Sequence, residues 1–191
     1  MTTRSPGESP ESALLLSTQC ELAHSPVRAE SQRMRPLQDL YPDDFAHCYG
    51  CGRLNAHGLH VKSEWHEGEA LARFQPEPHH MALPGYVYGG LTASLVDCHS
   101  MATAAAASME ATGARPGIDP TPRFVTASLH VDYLRPTPLG PVLVLRARAT
   151  ELTERKVVVE TSVFADEVEC ARGRVVAVRM PATMGTAPAV D

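Results

Sequence analysis

Asp97 is the residue whose chemistry most needs an explanation, because it is a carboxylic acid in the middle of an apolar segment. Residues 90–112 are rich in Ala, Leu and Met and contain no Pro, which predicts one helix about 30 Å long. The only other charge in this segment is Glu110, near its end, and Cys98 and His99 are predicted to be packing residues. A buried acid is costly unless it is paired, hydrogen-bonded or protonated. Asp97 is therefore either a carboxylate that faces solvent or bonds to a neighbour, or a catalytic acid.

The chain enters this helix through Tyr88-Gly89-Gly90. The first N–H groups of a helix have no intrahelical acceptor, and the macrodipole is positive there. Because glycine has no side chain, a carbonyl oxygen can approach these N–H groups closely. The pattern predicts an oxyanion site at the start of the helix.

Gly89 and Asp97 are separated by eight positions, which corresponds to about 12 Å along one helix. One carbonyl group cannot contact both residues at hydrogen-bond distance. Either the two residues belong to different sites, or two helices from two subunits run side by side. In a twofold dimer, Gly89 of one chain could face Asp97 of the other, so a catalytic role predicts a homodimer.

The chain on either side of this helix is predicted to form β-strands, because apolar and polar residues alternate with a period of two. Simple alternation puts Thr126 and Ser128 on one strand face and Val125 and Ala127 on the other. A helix that is apolar nearly all round has to be covered, and a sheet is the element available to cover it. The predicted fold class is therefore α+β, with one long helix against a single antiparallel sheet. The predicted strands are residues 59–65, 70–74, 124–133, 142–152, 156–165 and 170–180.

The length of 191 residues fits one domain with little room for a second core. Residues 1–35 mix Ser, Pro, Glu and Arg, which predicts a flexible N-terminal extension with room for one docking helix. Residues 36–181 are predicted to form the domain, and residues 182–191 a C-terminal tail.

Composition and charge exclude several classes of partner. The net charge is −5 and the Lys and Arg residues are scattered, which argues against nucleic acid. No apolar run approaches the ~20 residues needed to cross a bilayer, and the first residues make a poor secretory signal. The five cysteines are odd in number and irregularly spaced, as expected for reduced thiols of a cytoplasmic protein.

Cys48 and Cys51, with His47 and His57 close by, raise the question of a zinc site. A structural zinc site takes four ligands, but the sequence has no second Cys pair and the His spacing is not that of a zinc finger. A thioredoxin-like redox role is also disfavoured, because no strand leads into the motif. We therefore predict no metal and no cofactor.

Four stretches resemble hotdog-fold acyl-CoA thioesterases, and most closely the phenylacetate-degradation type that includes the mammalian thioesterase superfamily members. The helix segment Tyr-Gly-Gly-Leu-Thr-Ala-Ser-Leu-Val-Asp is similar to the family's His-Gly-Gly…Asp signature. Upstream lies a Cys-x-x-Cys-Gly…Asn-x-x-Gly-Leu pattern, and the other two matches agree in order and spacing. The four matching stretches are residues 47–59, His79 with Pro84-Gly85, residues 88–97 and residues 126–136, within a similarity that spans about residues 46–180.

The resemblance implies a hotdog fold: one long central helix wrapped by a five- to six-stranded antiparallel sheet, in a homodimer or a dimer of dimers (a homotetramer). It also implies an acyl-CoA thioesterase, which hydrolyses the thioester to a free acid and coenzyme A. Asp97 takes the position of the general base or nucleophile, Gly89 that of the oxyanion donor, and Thr126 that of a threonine that orients the water or the carboxylate. The substrate-binding positions are assigned to Asn55, His79, Tyr88, Gly90, Ser128 and Arg135.

Tyr88 departs from the family pattern, which has His at this position. Tyrosine keeps a hydroxyl donor and adds bulk, so we expect a different substrate size preference or a lower rate. Two alternatives follow: a non-catalytic acyl-CoA-binding protein, and an enoyl-thioester hydratase or dehydratase with His79 as its histidine. We expect His79 near the site and His80 exposed, and Arg135 is a candidate contact for a coenzyme A phosphate.

Overall fold

One long helix packs against a six-stranded antiparallel sheet in the computed structural model, which describes residues 34–186. In chain order the elements are β1 (Ser63–His66), β2 (Glu69–Phe74), β3 (Met81–Leu83), β4 (Tyr86–Val87), α1 (Gly89–Ala111), β5 (Phe124–Tyr133), β6 (Leu143–Leu152), β7 (Lys156–Ala165) and β8 (Val168–Arg179). Short 3-10 turns lie at Leu37–Leu40, Asp43–Phe45, Pro78–His80 and Ala182–Thr186.

The strand order in the large sheet is β1-β2-β6-β7-β8-β5, and β3 and β4 form a separate two-stranded sheet. This architecture confirms the predicted α+β hotdog fold with a central helix. Residues 1–33 and 187–191 lie outside the described residues, so the predicted extension and tail stay predictions. Between residues 34 and 186, none of the helices has the length and apolar character that crossing a membrane requires.

The middle of α1 is fully buried against the sheet, as its apolar sequence predicts. Leu95, Val96 and Ala102 have no exposed surface. At Gly173 of β8 a side chain would overlap Val96, so glycine is what allows the helix and the sheet to approach here. Because Val96 directly precedes Asp97, this contact fixes the distance between α1 and the sheet beside Asp97.

His99 belongs to a buried polar network that links α1 to β1. Gln38 donates its side-chain N–H to Ser63 Oγ at 2.8 Å and accepts the Ser63 backbone N–H at 2.8 Å. A further hydrogen bond of 2.8 Å joins the Ser63 hydroxyl to His99 Nδ1. Burial lowers the pKa of His99 to about 4, so the ring is neutral. The predicted packing role of His99 is confirmed.

Replacing Ser63 with Ala is expected to lower the free energy of unfolding by about 1–3 kcal/mol, because Gln38 and His99 would each lose a buried partner. Urea unfolding followed by circular dichroism measures the change. Ser108→Ala, at a half-buried helix position, is the matched control and should change stability little. Equal stability of the Ser63→Ala and wild-type proteins would contradict the role given to this network.

The strand predicted at residues 59–65 forms only over Ser63–His66. Its first half is a loop, because His60 adopts a left-handed backbone conformation with φ of 53°. There Val61 donates its N–H to the Gly50 carbonyl at 2.9 Å instead of pairing with a strand. This part of the prediction was wrong, since the alternating residues pack against the Cys-x-x-Cys turn.

A β-bulge in β5 changes which residues face the helix. Thr126 pairs with Ala177 and Ser128 pairs with Val176, so Ala127 is an extra residue between them. Directly opposed residues share a sheet face, and Ala177 is fully buried under the helix. Thr126 therefore faces α1, whereas Ser128 faces away from it. The expectation from simple alternation, that Thr126 and Ser128 share a face, was wrong.

Candidate active site

Asp97 lies half-buried in the middle of α1, where β5 passes beside it. The Thr126 hydroxyl donates a hydrogen bond to Asp97 Oδ1, which fixes the orientation of the carboxylate. Burial raises the pKa of Asp97, the Thr126 bond opposes this, and the negative charge of Cys48 adds to it. An oriented carboxylate with a raised pKa is suited to accept a proton or to attack an electrophile.

The helix begins at Gly89, and within the described residues no side chain caps it. The N–H groups of Gly89 and Gly90 have no intrahelical acceptor at this position. Their backbone is held in place from β5, because Tyr133 donates its hydroxyl to the Gly89 carbonyl oxygen at 2.7 Å. The arrangement leaves N–H donors at the positive end of a helix, where developing negative charge is stabilised.

Two pockets flank this helix start. The loop pocket, about 870 Å³, lies between residues 56–60, the turn at His79–Met81, and Tyr88 and Gly90. The edge pocket, about 550 Å³, lies on the other side and includes Gly89, Tyr133 and Arg135. Asp97 and Thr126 line neither of them, because Asp97 lies two turns further along α1 and Thr126 lies beside it on β5.

Several residues assigned to substrate binding are otherwise engaged. Asn55 donates to the His47 carbonyl oxygen at 3.1 Å and accepts the His57 N–H at 3.0 Å, so its side chain holds the loop together. Arg135 donates to the Glu169 carbonyl oxygen at 2.9 Å while lining the edge pocket. Ser128 is exposed on the sheet face opposite Asp97, which does not bring it to the site.

His79 and His80 both line the loop pocket, and His79 is the more exposed of the two. The His79 side chain is 70% exposed and lies 3.4 Å from the Glu77 carboxylate. His80 is half-buried, accepts the Glu77 backbone N–H at 2.9 Å and has its ring 5.5 Å from that of Phe74. The expectation that His80 is exposed was wrong, because it caps the 3-10 turn that precedes β3.

The sulfur atoms of Cys48, Cys51 and Cys98 all lie within 4.8 Å of one another. Cys98 is buried, as predicted, but its sulfur joins the Cys-x-x-Cys turn instead of a purely apolar core. Sequence reasoning missed this grouping because Cys98 is 50 positions after Cys48. Cys98 directly follows Asp97 on the helix, and no local pattern in the sequence links it to the Cys-x-x-Cys turn.

The fold and the helix-start geometry define the class of protein: a hotdog protein with candidate acid and oxyanion groups on one long helix. A family model described as thioesterase superfamily matches residues 84–171, from the turn before α1 into β8. A solved thioesterase superfamily protein from Shewanella loihica PV-4 is 45% identical, with 73% of this chain and 98% of that chain covered and a TM-score of 0.56. The chain belongs to the thioesterase superfamily.

More distant similarities agree with this assignment. A Xenopus laevis protein named acyl-coenzyme A thioesterase THEM4 is 31% identical over 91 residues, which cover 48% of this chain and 35% of that protein. The match thus spans about a third of the length of that relative. The Escherichia coli PaaI protein from the phenylacetic acid degradation operon shares the fold at 17% identity and a TM-score of 0.53, with 64% of this chain and 81% of that chain covered.

Proposed function

We propose that the protein hydrolyses an acyl-CoA thioester to the free acid and coenzyme A at a site built between two subunits. The observation that carries the proposal is the Asp97 carboxylate, which Thr126 orients from β5 and which lies on the same helix as the uncapped Gly89 N–H but about 12 Å from it. Membership of the thioesterase superfamily supports the reaction. Acyl-CoA as substrate is supported by the name of the Xenopus laevis relative and by a Streptococcus mutans protein of the same fold, smu.793, bound to acetyl CoA (17% identity, TM-score 0.50).

The second subunit is proposed from the edge strand β5, which pairs only with β8 among the described strands. Leu129 and Tyr133 lie opposite the buried Val175 and Ala171, on the sheet face that carries α1, yet they are 39% and 55% exposed. An open edge with uncovered apolar side chains favours pairing with another strand. A second copy joined through β5 would cover these residues and bring two α1 helices side by side.

In this dimer, the partner's Gly89 N–H donates to the thioester carbonyl oxygen and stabilises the negative charge that develops there. Asp97 acts either on a water molecule or directly on the carbonyl carbon. In the first route, Asp97 takes a proton from water while the water oxygen bonds to the carbonyl carbon. The carbon–sulfur bond then breaks, and the coenzyme A thiolate receives the proton. In the second route the Asp97 carboxylate bonds to the carbonyl carbon and the carbon–sulfur bond breaks, which gives a mixed anhydride and the coenzyme A thiolate. Water then hydrolyses the anhydride to the free acid and the Asp97 carboxylate, and the thiolate takes up the remaining proton. Thr126 holds the carboxylate in position in both routes.

A second candidate function is acyl-CoA binding without turnover, and the position of Tyr88 favours it. The Tyr88 ring packs so closely on Gly90 that a side chain at position 90 would overlap it. The ring is therefore beside the N–H groups proposed as oxyanion donors. No contact in the described part of the chain favours the hydratase alternative, since His79 and Asp97 share no pocket.

A thiol-release assay with the full chain over short, long and aromatic acyl-CoAs tests the proposal. Hydrolysis releases free coenzyme A with at least one of these substrates. Tight binding of acyl-CoA without thiol release would instead support the second candidate. Formation of a hydrated product from an enoyl-CoA, without free thiol, would assign the site to hydration.

Thr126→Val is expected to lower kcat by about 10- to 100-fold, since it removes a hydrogen bond to a charged group worth about 1.5–3 kcal/mol. Thr126→Ser is the matched variant, because it keeps the hydroxyl, and its kcat should stay within a few-fold of wild type. Steady-state thiol release with one acyl-CoA measures both. Equal losses in the Val and Ser variants would mean that Thr126 acts through packing and not through its hydroxyl.

A further inference from the structure

The three-cysteine cluster (Cys48, Cys51 and Cys98) has a geometry that the proposed hydrolysis does not use. The sulfurs of Cys48 and Cys98 are 3.7 Å apart, and all three lie within 4.8 Å of one another. Zinc binds thiolate sulfur at about 2.3 Å in tetrahedral geometry, which places neighbouring sulfurs about 3.8 Å apart. The cluster therefore has the spacing of three ligands around one metal ion.

The backbone around Cys48 is arranged to hold a thiolate. The N–H groups of Gly50 and Cys51 turn back toward Cys48 Sγ, and Gly52 donates its N–H to the Cys48 carbonyl at 2.8 Å. The thiolate is the form of cysteine that binds metals.

Gly50 brings the turn and the helix into direct contact. A side chain at position 50 would overlap Cys98 Sγ, so only glycine lets the turn approach the helix this closely. Cys98 and Cys51 are buried, whereas Cys48 is half-buried. The cluster thus has one accessible side, at Cys48, and two sulfurs that are held in place by the core.

We propose that Cys48, Cys51 and Cys98 form a binding site for a thiophilic divalent cation, Zn²⁺ in the test below. Three thiolates occupy three positions of a tetrahedron, and the accessible side at Cys48 leaves the fourth to a water molecule. Each cysteine that binds as a thiolate releases its thiol proton to solvent. The site was not predicted because a search for four ligands near one another in the sequence could not include Cys98.

The metal would join the loop of residues 46–62 to α1 beside Asp97. This loop supplies Tyr49 and residues 56–60 to the wall of the loop pocket. Binding of one ion therefore fixes a pocket wall to the helix that carries the candidate acid, and stabilises the folded chain through its affinity. A disulfide would link only two of the three sulfurs and would need an oxidant.

The test uses the full chain, fully reduced, incubated with Zn²⁺ and dialysed against zinc-free buffer. Metal analysis should find about one zinc ion per chain, and less than about a tenth of that in Cys48→Ser and Cys98→Ser. Cys170→Ser is the control, since Cys170 is buried like Cys98 but lies outside the cluster, and it should keep its zinc. Circular dichroism establishes that each variant is folded.

Cobalt substitution in the wild-type protein provides a readout that does not depend on the variants. Co²⁺ at this site should give sulfur-to-metal charge-transfer bands and the intense visible bands of a tetrahedral ion. Chelation of the zinc should also lower the unfolding temperature of the wild type but not of Cys98→Ser. The proposal is overturned if the reduced wild type takes up no zinc, if Co²⁺ shows no thiolate bands, or if Cys48→Ser binds zinc as well as Cys170→Ser does.

Discussion

Asp97→Asn is expected to lower kcat for acyl-CoA hydrolysis by about 10²- to 10⁴-fold, the usual contribution of a positioned general base. Asparagine keeps the size of the side chain, and its amide oxygen can still accept the Thr126 hydrogen bond. Only the ability to take a proton or to attack the carbonyl carbon is lost. Steady-state thiol release measures kcat, and KM should change little because the carboxylate does not bind the acyl chain.

Asp166→Asn is the matched control for the loss of a carboxylate. Asp166 lies in the exposed β7–β8 turn with φ of 46°, a conformation that asparagine adopts readily. Its kcat should equal that of the wild type. If Asp97→Asn retained full hydrolysis of every acyl-CoA that the wild type cleaves, Asp97 would have no catalytic role and the proposed reaction would need another acid.

The parts of the fold that sequence reasoning located best are those dominated by one local signal. The helix predicted at residues 90–112 forms over Gly89–Ala111, because a long Ala-, Leu- and Met-rich run without Pro has few alternatives to a helix. The strands predicted at residues 124–133 and 156–165 have the predicted bounds.

The errors arise where tertiary contacts override the local pattern. One extra residue at Ala127 reverses which of its neighbours face the helix, and nothing in the alternation of residues 124–133 marks that bulge. The segment before β1 alternates like a strand, yet its N–H groups pair with the turn at Cys48–Cys51. Both features depend on contacts between different segments of the chain, so the local pattern of either segment could not predict them.

The candidate site depends on the same kind of long-range contact. Asp97 and Gly89 are predicted from the sequence of the helix alone. The hydroxyl that orients Asp97 belongs to Thr126 of β5, directly before the bulge. The helix therefore carries the candidate catalytic groups, and the edge strand β5 carries the hydroxyl that orients one of them. Because β5 is also the open edge of the sheet, any dimer formed there would place the second subunit next to the oriented acid.

Gly89→Pro is expected to lower kcat by about 10²- to 10³-fold, the usual effect of removing one oxyanion donor. Proline removes the N–H but is favoured at the first position of a helix. Tyr88, with φ of −64° and ψ of 129°, already has the extended conformation that a following proline requires. Gly89→Ala is the matched control, because it keeps the N–H and its Cβ would meet the Tyr133 ring at an ordinary 3.4 Å.

Combining the two inactive chains tests whether the site is shared. A heterodimer of an Asp97→Asn chain and a Gly89→Pro chain, isolated through two different affinity tags, contains one site with both defects and one site with neither. Its thiol-release activity should recover to about half that of the wild-type dimer, although both parent homodimers are nearly inactive. If Asp97 and Gly89 of the same chain formed the site, every site in the heterodimer would carry one defect and no activity would return. Such a result would contradict a site that is shared between two subunits.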